Sequence, residues 1–361
     1  MSDVSEVEIV APNFKRRLSG VTSTIIQLVP VQARLGQRIA TLGPGLPAGL
    51  PCISFSDLLR FWTPPSRRRR RVWHARRNIE MLPALMLRDL LRMPLKIVFT
   101  SASQRRHSGW TKFLVGRMDA VIATSARTAA YLTVPNTVIR HGIDTTRFSP
   151  PADRGAAKSA LGLDPAKKVA GCFGRVRHQK GTDLFVDAMI RLLPARPDWI
   201  AVIAGRATAK HAGFETELKQ RVAAAGLADR ILFVGEHTNI NDWYRALDLF
   251  IAPQRWEGFG LTPLEAMASA VPVVATDVGA FPELVIYGKS EIGAVIPAAD
   301  LDAMAATSAA FMDDDARREQ AGARGRDHVI ENFSIEGEAL AIGAIYEALL
   351  RGEPLPALTP A

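Results

Sequence analysis

Short apolar runs, many of them β-branched, alternate along the chain with stretches of helical periodicity. In the first half the runs are residues 7–10, 38–41, 72–74, 97–100, 120–123 and 137–139. Helical spacing falls between them, most clearly over 22–34 and 79–92. In the second half the runs are 169–173, 200–204, 231–234, 249–252, 271–275 and 294–296. Continuous apolar strands separated by helices predict parallel sheets covered on both faces. The pattern occurs twice, which predicts two doubly wound α/β domains facing across a cleft. Their expected extents are 1–150 and 151–333, divided at Ser149-Pro150-Pro151-Ala152-Asp153, where prolines stop regular structure. Residues 334–361 read as a helix and tail, expected to pack back on the first domain. In such folds ligands bind in the loops just after the strands, so the chemistry is sought there.

Composition narrows the class. The 361 residues are 48% hydrophobic and 22% charged, which is globular and excludes a disordered chain. No apolar run reaches about 18 residues, so no transmembrane helix is expected; the richest stretch, Met81 to Thr100, is broken by Arg88, Asp89, Arg92 and Lys96. The N-terminus lacks a basic-then-apolar leader. Two cysteines, Cys52 and Cys172, exclude a disulfide framework and a Cys-rich zinc site. These features predict a cytoplasmic protein, either soluble or peripheral on a membrane.

Charge adds a second asymmetry. Residues 1–150 hold 23 Lys+Arg against 8 Asp+Glu, whereas 151–361 hold 22 against 28. The basic half peaks at Arg67, Arg68, Arg69, Arg70 and Arg71, followed by Arg76 and Arg77. A polyanionic partner of the first half follows: nucleic acid, anionic membrane or an acidic substrate. The plainer alternative is a solvated arginine loop. No RNA-recognition or helix-turn-helix signature supports nucleic acid. The aromatic pair Phe61-Trp62 just upstream suits shallow insertion at a membrane interface.

Three loops carry candidate chemistry. Glu257-Gly258-Phe259-Gly260-Leu261-Thr262-Pro263-Leu264-Glu265 follows one strand and opens a helix. Its glycines let backbone N–H groups approach a ligand, and its two carboxylates suit sugar or ribose diols. Gly174-Arg175-Val176-Arg177-His178-Gln179-Lys180-Gly181 follows another strand, with Arg175 as a fork and Lys180 as a point charge for a diphosphate. It is not a Walker loop. The loop from Pro12 to Gly20 places Ser19-Gly20 before a helix, a weaker candidate for close ligand approach. Asp313-Asp314-Asp315 reads as an acidic helix start rather than a cation site.

The Glu257–Glu265 segment, with Ala266-Met267-Ala268, Pro272-Val273-Val274-Ala275-Thr276 and Glu283, resembles the donor-site signature of GT-B glycosyltransferases of family 4. Gly174-Arg175 with Lys180-Gly181 is similar to that family's phosphate-binding turn, and His141–Pro150 to its interdomain segment. Val202–Gly205 and Phe233–Gly235 match its other strand ends. Across the chain, including Val72–Asn78, the resemblance is to lipopolysaccharide core mannosyltransferases of rhizobia and relatives. It implies a retaining transfer of α-mannose from GDP-mannose to a lipid-linked inner-core acceptor, at the inner face of the cytoplasmic membrane. It implies no cofactor beyond the nucleotide-sugar co-substrate, and no metal. Arg175 and Lys180 would neutralise the diphosphate, and Glu265 would hold the ribose. Glu257, with Gly258, Phe259 and Gly260, would meet the sugar, beside Gly20, Gly174 and Leu261. Val234, Gly235 and His237 would face the base. Ala270 stands where the family usually has glycine, and Thr100-Ser101-Ala102 where many members have a histidine. His74 is the expected first-domain catalytic histidine, His107 the second candidate. The basic cluster Arg67–Arg71 with Arg76 and Arg77 is expected to meet the acceptor or an anionic membrane. The rival readings are a UDP-sugar transferase acting on another lipid or polysaccharide, and a non-enzymatic membrane or nucleic-acid binder. A dinucleotide oxidoreductase lacks its Gly-x-Gly-x-x-Gly after the first strand.

Overall fold

Every strand run read above becomes a strand in the computed structural model, which describes residues 2–16 and 20–356. The chain divides into two units. The first runs to Gly142 and resumes at Ile335; the second spans Ile143–Ser334.

The first unit holds β1 (Ile9–Pro12), β2 (Ile39–Leu42), β3 (Cys52–Ile53), β4 (Arg71–Ala75), β5 (Leu95–Ser101), β6 (Ala120–Ala123) and β7 (Thr137–Val138). Every pairing is parallel, in the order β3-β2-β1-β4-β5-β6-β7. Both faces are buried because alternate strand residues feed opposite cores. Val10, Ala40, Trp73 and Ile97 meet Met81, Leu85 and Leu114 on one side. Ile9, Ile39, Val72 and Val98 meet Ile25, Leu28 and Val29 on the other. The Ile335–Arg351 helix joins that second layer through Ile342, Tyr346 and Leu349. The strand β3 was not legible as a run, since Cys52-Ile53 is closed in by Pro51 and Ser54 and has no third apolar residue to extend it. The periodic stretch 79–92 becomes an α-helix, Asn78–Leu85, continued by a π-turn at Met86–Leu90.

The second unit holds β8 (Lys168–Phe173), β9 (Trp199–Ala204), β10 (Ile231–Gly235), β11 (Leu249–Ala252), β12 (Val273–Thr276) and β13 (Gly293–Ile296), all parallel, in the order β10-β9-β8-β11-β12-β13. It too is doubly wound, with strand order reversing between β8 and β11. The division lies at Gly142–Ile143, ahead of the proline-rich stretch expected to mark it. Phe148 explains the difference: it is buried in the second unit's core against Tyr244, so residues 143–150 belong there. Cys172 packs as a small core residue, and burial pushes its thiol up to about 12. Asp314 caps the Asp315–Asn332 helix through the Arg317 N–H, while Asp313 and Asp315 pair with Arg196 and Lys168. Among the described residues no helix is long and apolar enough to cross a membrane, and no group of three or more His, Cys, Asp or Glu is placed to hold a metal ion.

Candidate active site

The two strongest motifs leave β8 and β11, the neighbouring strands where the second sheet reverses order. Such a switch point opens a crevice at the strand C-termini because the connections leave in opposite directions. Sequence-distant residues therefore meet. The Lys180 ammonium donates to the Glu257 carboxylate, and the other Glu257 oxygen accepts the Gly258 N–H at 3.0 Å. Both side chains keep some exposure, 22% and 17%. They are close enough to water for a ligand to exchange with either.

Two glycines make this approach possible. Gly181 has φ +69°, and a Cβ there would lie 1.8 Å from the Pro253 carbonyl oxygen. The turn His178–Lys180 can thus lie against the chain leaving β11 only with glycine at its end. Gly260 has φ +81°, and its Cβ would meet Phe281 at 2.4 Å and Glu257 Cγ at 2.8 Å. Arg255, which the sequence reading missed, clamps the same two segments. Its guanidinium spans both Asp183 carboxylate oxygens at 2.7 and 2.8 Å and donates to the His178 carbonyl at 2.7 Å. Bidentate pairing fixes orientation as well as distance. Arg175 and Gly174 lie exposed at the end of β8.

Glu265 sits in the first turn of the Thr262–Ala268 helix, which Pro263 starts. The Tyr244 hydroxyl donates to it at 2.8 Å. Burial raises the Glu265 pKa, offset in part by the Tyr244 hydrogen bond and by Arg147. Tyr244 is another residue missed from sequence; its ring is fully buried among Phe148, Phe173 and Phe250. Phe259 is buried and Leu261 partly so, while Gly258 and Gly260 shape the loop. His237 lies beyond β10, its Nε2 2.8 Å from the Val234 carbonyl oxygen and its ring on Trp243, after the left-handed Gly235.

The first-unit candidates fare differently. His74 lies in the core and not on a surface open to substrate. It is fully buried, with Nδ1 2.5 Å from the Tyr346 hydroxyl and Nε2 2.6 Å from Thr100 Oγ1. Burial drives its pKa well below the usual imidazole value. His107 instead lies in the loop after β5, partly exposed. Gly20 begins the Gly20–Arg34 helix with open space around it among the described residues, so nothing there calls for glycine. Its neighbour Ser19 lies outside the described residues.

The arginine cluster also divides. Arg71 is buried: its guanidinium donates to the carbonyls of Val4, Val7 and Thr63 and covers the Phe61 ring. Arg68 pairs with Glu8 and Glu347. Neither is available to a membrane, and Phe61, 1% exposed, cannot insert. Arg77 ties Asn13, Thr22 and Glu80 together, and Arg76 is buried with Nη1 on the His74 carbonyl. Arg67 and Arg69 remain exposed, Arg70 partly so, and Trp62 is half exposed.

Comparison with known proteins bears on the family and the fold. Residues 153–328 match the family model described as "Glycosyl transferases group 1". The chain is 72% identical to the lipopolysaccharide core biosynthesis mannosyltransferase of Rhizobium meliloti, over 97% of this chain and all of that one. It is 58% identical to the corresponding protein of Rhizobium leguminosarum bv. viciae, over 97% and 99%. Among solved structures, sucrose-phosphate synthase from Thermosynechococcus elongatus superposes with a TM-score of 0.79 at 21% identity, over 96% of this chain and all of that one, which shows the GT-B fold.

Proposed function

The chain belongs to the group 1 glycosyl transferases, and from that membership we propose that it moves α-mannose from GDP-mannose to a lipid-linked inner-core acceptor of lipopolysaccharide, with retention. The observation that carries this reading is 72% identity along the full length of a protein named for that core transfer. An enzyme of this family is not a mere nucleic-acid or membrane binder.

The site's chemistry supports it. As the C1–phosphate bond breaks, positive charge grows on the sugar ring and negative charge on the departing diphosphate. Lys180, held by Glu257, and Arg175 stabilise that charge, as pre-placed cations do without reorganising. They supply what a metal would, so we read the reaction as metal-independent. The acceptor hydroxyl attacks C1 on the face the phosphate leaves, and its proton passes to a departing phosphate oxygen. Glu265 accepts ribose hydroxyls, and Glu257, while pairing Lys180, accepts from the sugar.

Peripheral docking on the anionic inner membrane belongs to the same reading, at a face other than the arginine run. Ile79, Leu82, Met86 and Leu90 are all exposed and recur at helical spacing. Exposed Trp110 stacks on exposed Phe113 on the neighbouring Gly109–Val115 helix, with the Arg117 guanidinium 5.9 Å from that ring. Arg92, just after residues 79–90, and Lys112, on the second helix, are exposed. An apolar stripe in a basic surround is the pattern of interfacial binding. The deciding experiment is transfer to a lipid core acceptor from GDP-mannose, UDP-glucose and UDP-galactose, each with and without EDTA. Turnover with GDP-mannose that survives EDTA is expected; a preference for either UDP-sugar overturns the donor.

A further inference from the structure

We infer that a pocket within the first unit binds an anionic group, a carboxylate or phosphate, carried by the saccharide acceptor; the inference rests on the acceptor reading above. The pocket measures about 560 Å³ and lies after the C-terminal ends of β1, β4 and β5, beside the point where the first sheet reverses its order. Its lining includes Lys15, Arg76, Arg77, Arg105, Arg106 and His107, and among the described residues no Asp or Glu.

Three of these cations lack the acidic partners that several others in the same unit have. Arg88 pairs with Asp89 and Asp119, Lys96 with Asp119, and Arg68 with Glu8 and Glu347. Lys15, Arg105 and Arg106 make no side-chain hydrogen bond or ion pair among the described residues. Arg76 is buried, with Nη1 on the His74 carbonyl, and among the described residues His107 Nε2 has no hydrogen-bond partner. The nearby Glu80 neutralises Arg77 alone: one oxygen takes Arg77 Nη1, the other the backbone N–H of Arg76. Positive charge gathered in a concavity with low-dielectric walls focuses its field outward on an incoming anion. Guanidinium forks match carboxylate and phosphate oxygens in pairs. A neutral sugar would leave those donors half satisfied, at the cost of their desolvation.

Arg105 and Arg106 are exposed and support no other group, so the Arg105→Ala/Arg106→Ala double variant keeps the fold, which its melting temperature and GDP affinity check. The probes are a deacylated lipopolysaccharide core oligosaccharide in three forms: native, methyl-esterified at its carboxyls, and dephosphorylated. Calorimetry on each form reads acceptor binding without any donor. The wild type is expected to bind the native form about 10- to 100-fold more tightly than one of the two blocked forms. The form that loses affinity identifies carboxylate or phosphate as the ligand. The double variant is expected to lose most of that preference. Equal binding of all three forms by wild type, no binding of any, or an unchanged preference in the variant overturns the inference. Failure of GDP-mannose to turn over, with the binding preference intact, would instead strike only the donor reading.

Discussion

Lys180 already has a counter-ion before any donor arrives, and this makes Glu257→Gln the most informative substitution. Its ammonium is held by the Glu257 carboxylate, with both groups partly exposed. A diphosphate oxygen that takes the free side of the ammonium comes about 5 Å from that carboxylate. At the effective dielectric of about 20 suited to such positions, two unit charges at that distance repel by roughly 3 kcal/mol. Solvent screening at these exposures cuts the figure to about 1–2 kcal/mol. Glutamine keeps the shape and removes the charge, so GDP should bind Glu257→Gln about 5- to 30-fold more tightly than wild type. Turnover of GDP-mannose should nevertheless fall, because the sugar loses a charged acceptor and the nucleotide product leaves more slowly. Calorimetry with GDP, at low salt and at about 0.5 M salt, reads the first effect; steady-state transfer reads the second. The gain should shrink at high salt, as screening weakens the repulsion it relieves. Weaker GDP binding by Glu257→Gln, or a gain that salt leaves untouched, would refute the electrostatic account.

Arg175→Ala or Lys180→Ala should lower kcat/KM by about 10²–10³-fold, through contacts that strengthen as the leaving group gains charge; wild-type kinetics in both would remove the clamp. Glu265→Gln should weaken GDP binding, measured by calorimetry. Because burial raises its pKa, wild-type affinity should decline as pH falls through that raised value, and the variant should lose this dependence. His74→Ala should cost about 3–5 kcal/mol of stability in urea unfolding, from the cavity and the stranded Thr100 and Tyr346 hydroxyls, while GDP affinity stays unchanged. His74 is held neutral in the fold, so the unfolded chain takes up its proton first. Its contribution to stability is therefore present above about pH 6.5 and lost as pH falls below it, a slope that His74→Gln should flatten. Replacing Leu82, Met86 and Leu90 together by serine should release the protein from anionic vesicles in co-sedimentation; unchanged binding would exclude that face.

The fold was legible because its strands are buried on both faces and so read as continuous apolar runs. The exception, β3, is two residues at a sheet edge. The donor site was legible where spacing within one segment carried the signal, as in Glu257–Gly260 and Arg175–Gly181. What sequence hid were partners brought by topology. Tyr244 reaches Glu265 from another helix, and Arg255 locks Asp183 across a strand crossing. Ala270, which stands where the family usually has glycine, adopts φ +55°, a left-handed conformation that costs a residue with a Cβ about 1–2 kcal/mol.

The arginine run shows the reason for the remaining misreading. Charge counted along a chain says how many cations there are, but burial and pairing decide which of them a partner can reach. Arg71 lies in a strand whose side chains alternate between two cores, and a guanidinium there must spend its donors on carbonyls. Arg68 lies opposite Glu347, a residue nearly the whole chain away, which only the return of the Ile335–Arg351 helix brings near. Like Arg67 and Arg69, three cations outside the run make no side-chain hydrogen bond or ion pair among the described residues: Lys15, Arg105 and Arg106. They lie on loops after strand ends and are scattered in sequence, where no run would mark them. A parallel sheet gathers those loops at one edge. The positive charge available to a ligand is thus set by topology, and it gathers where the sheet's order reverses, the same place that in the second unit brings Lys180 to Glu257.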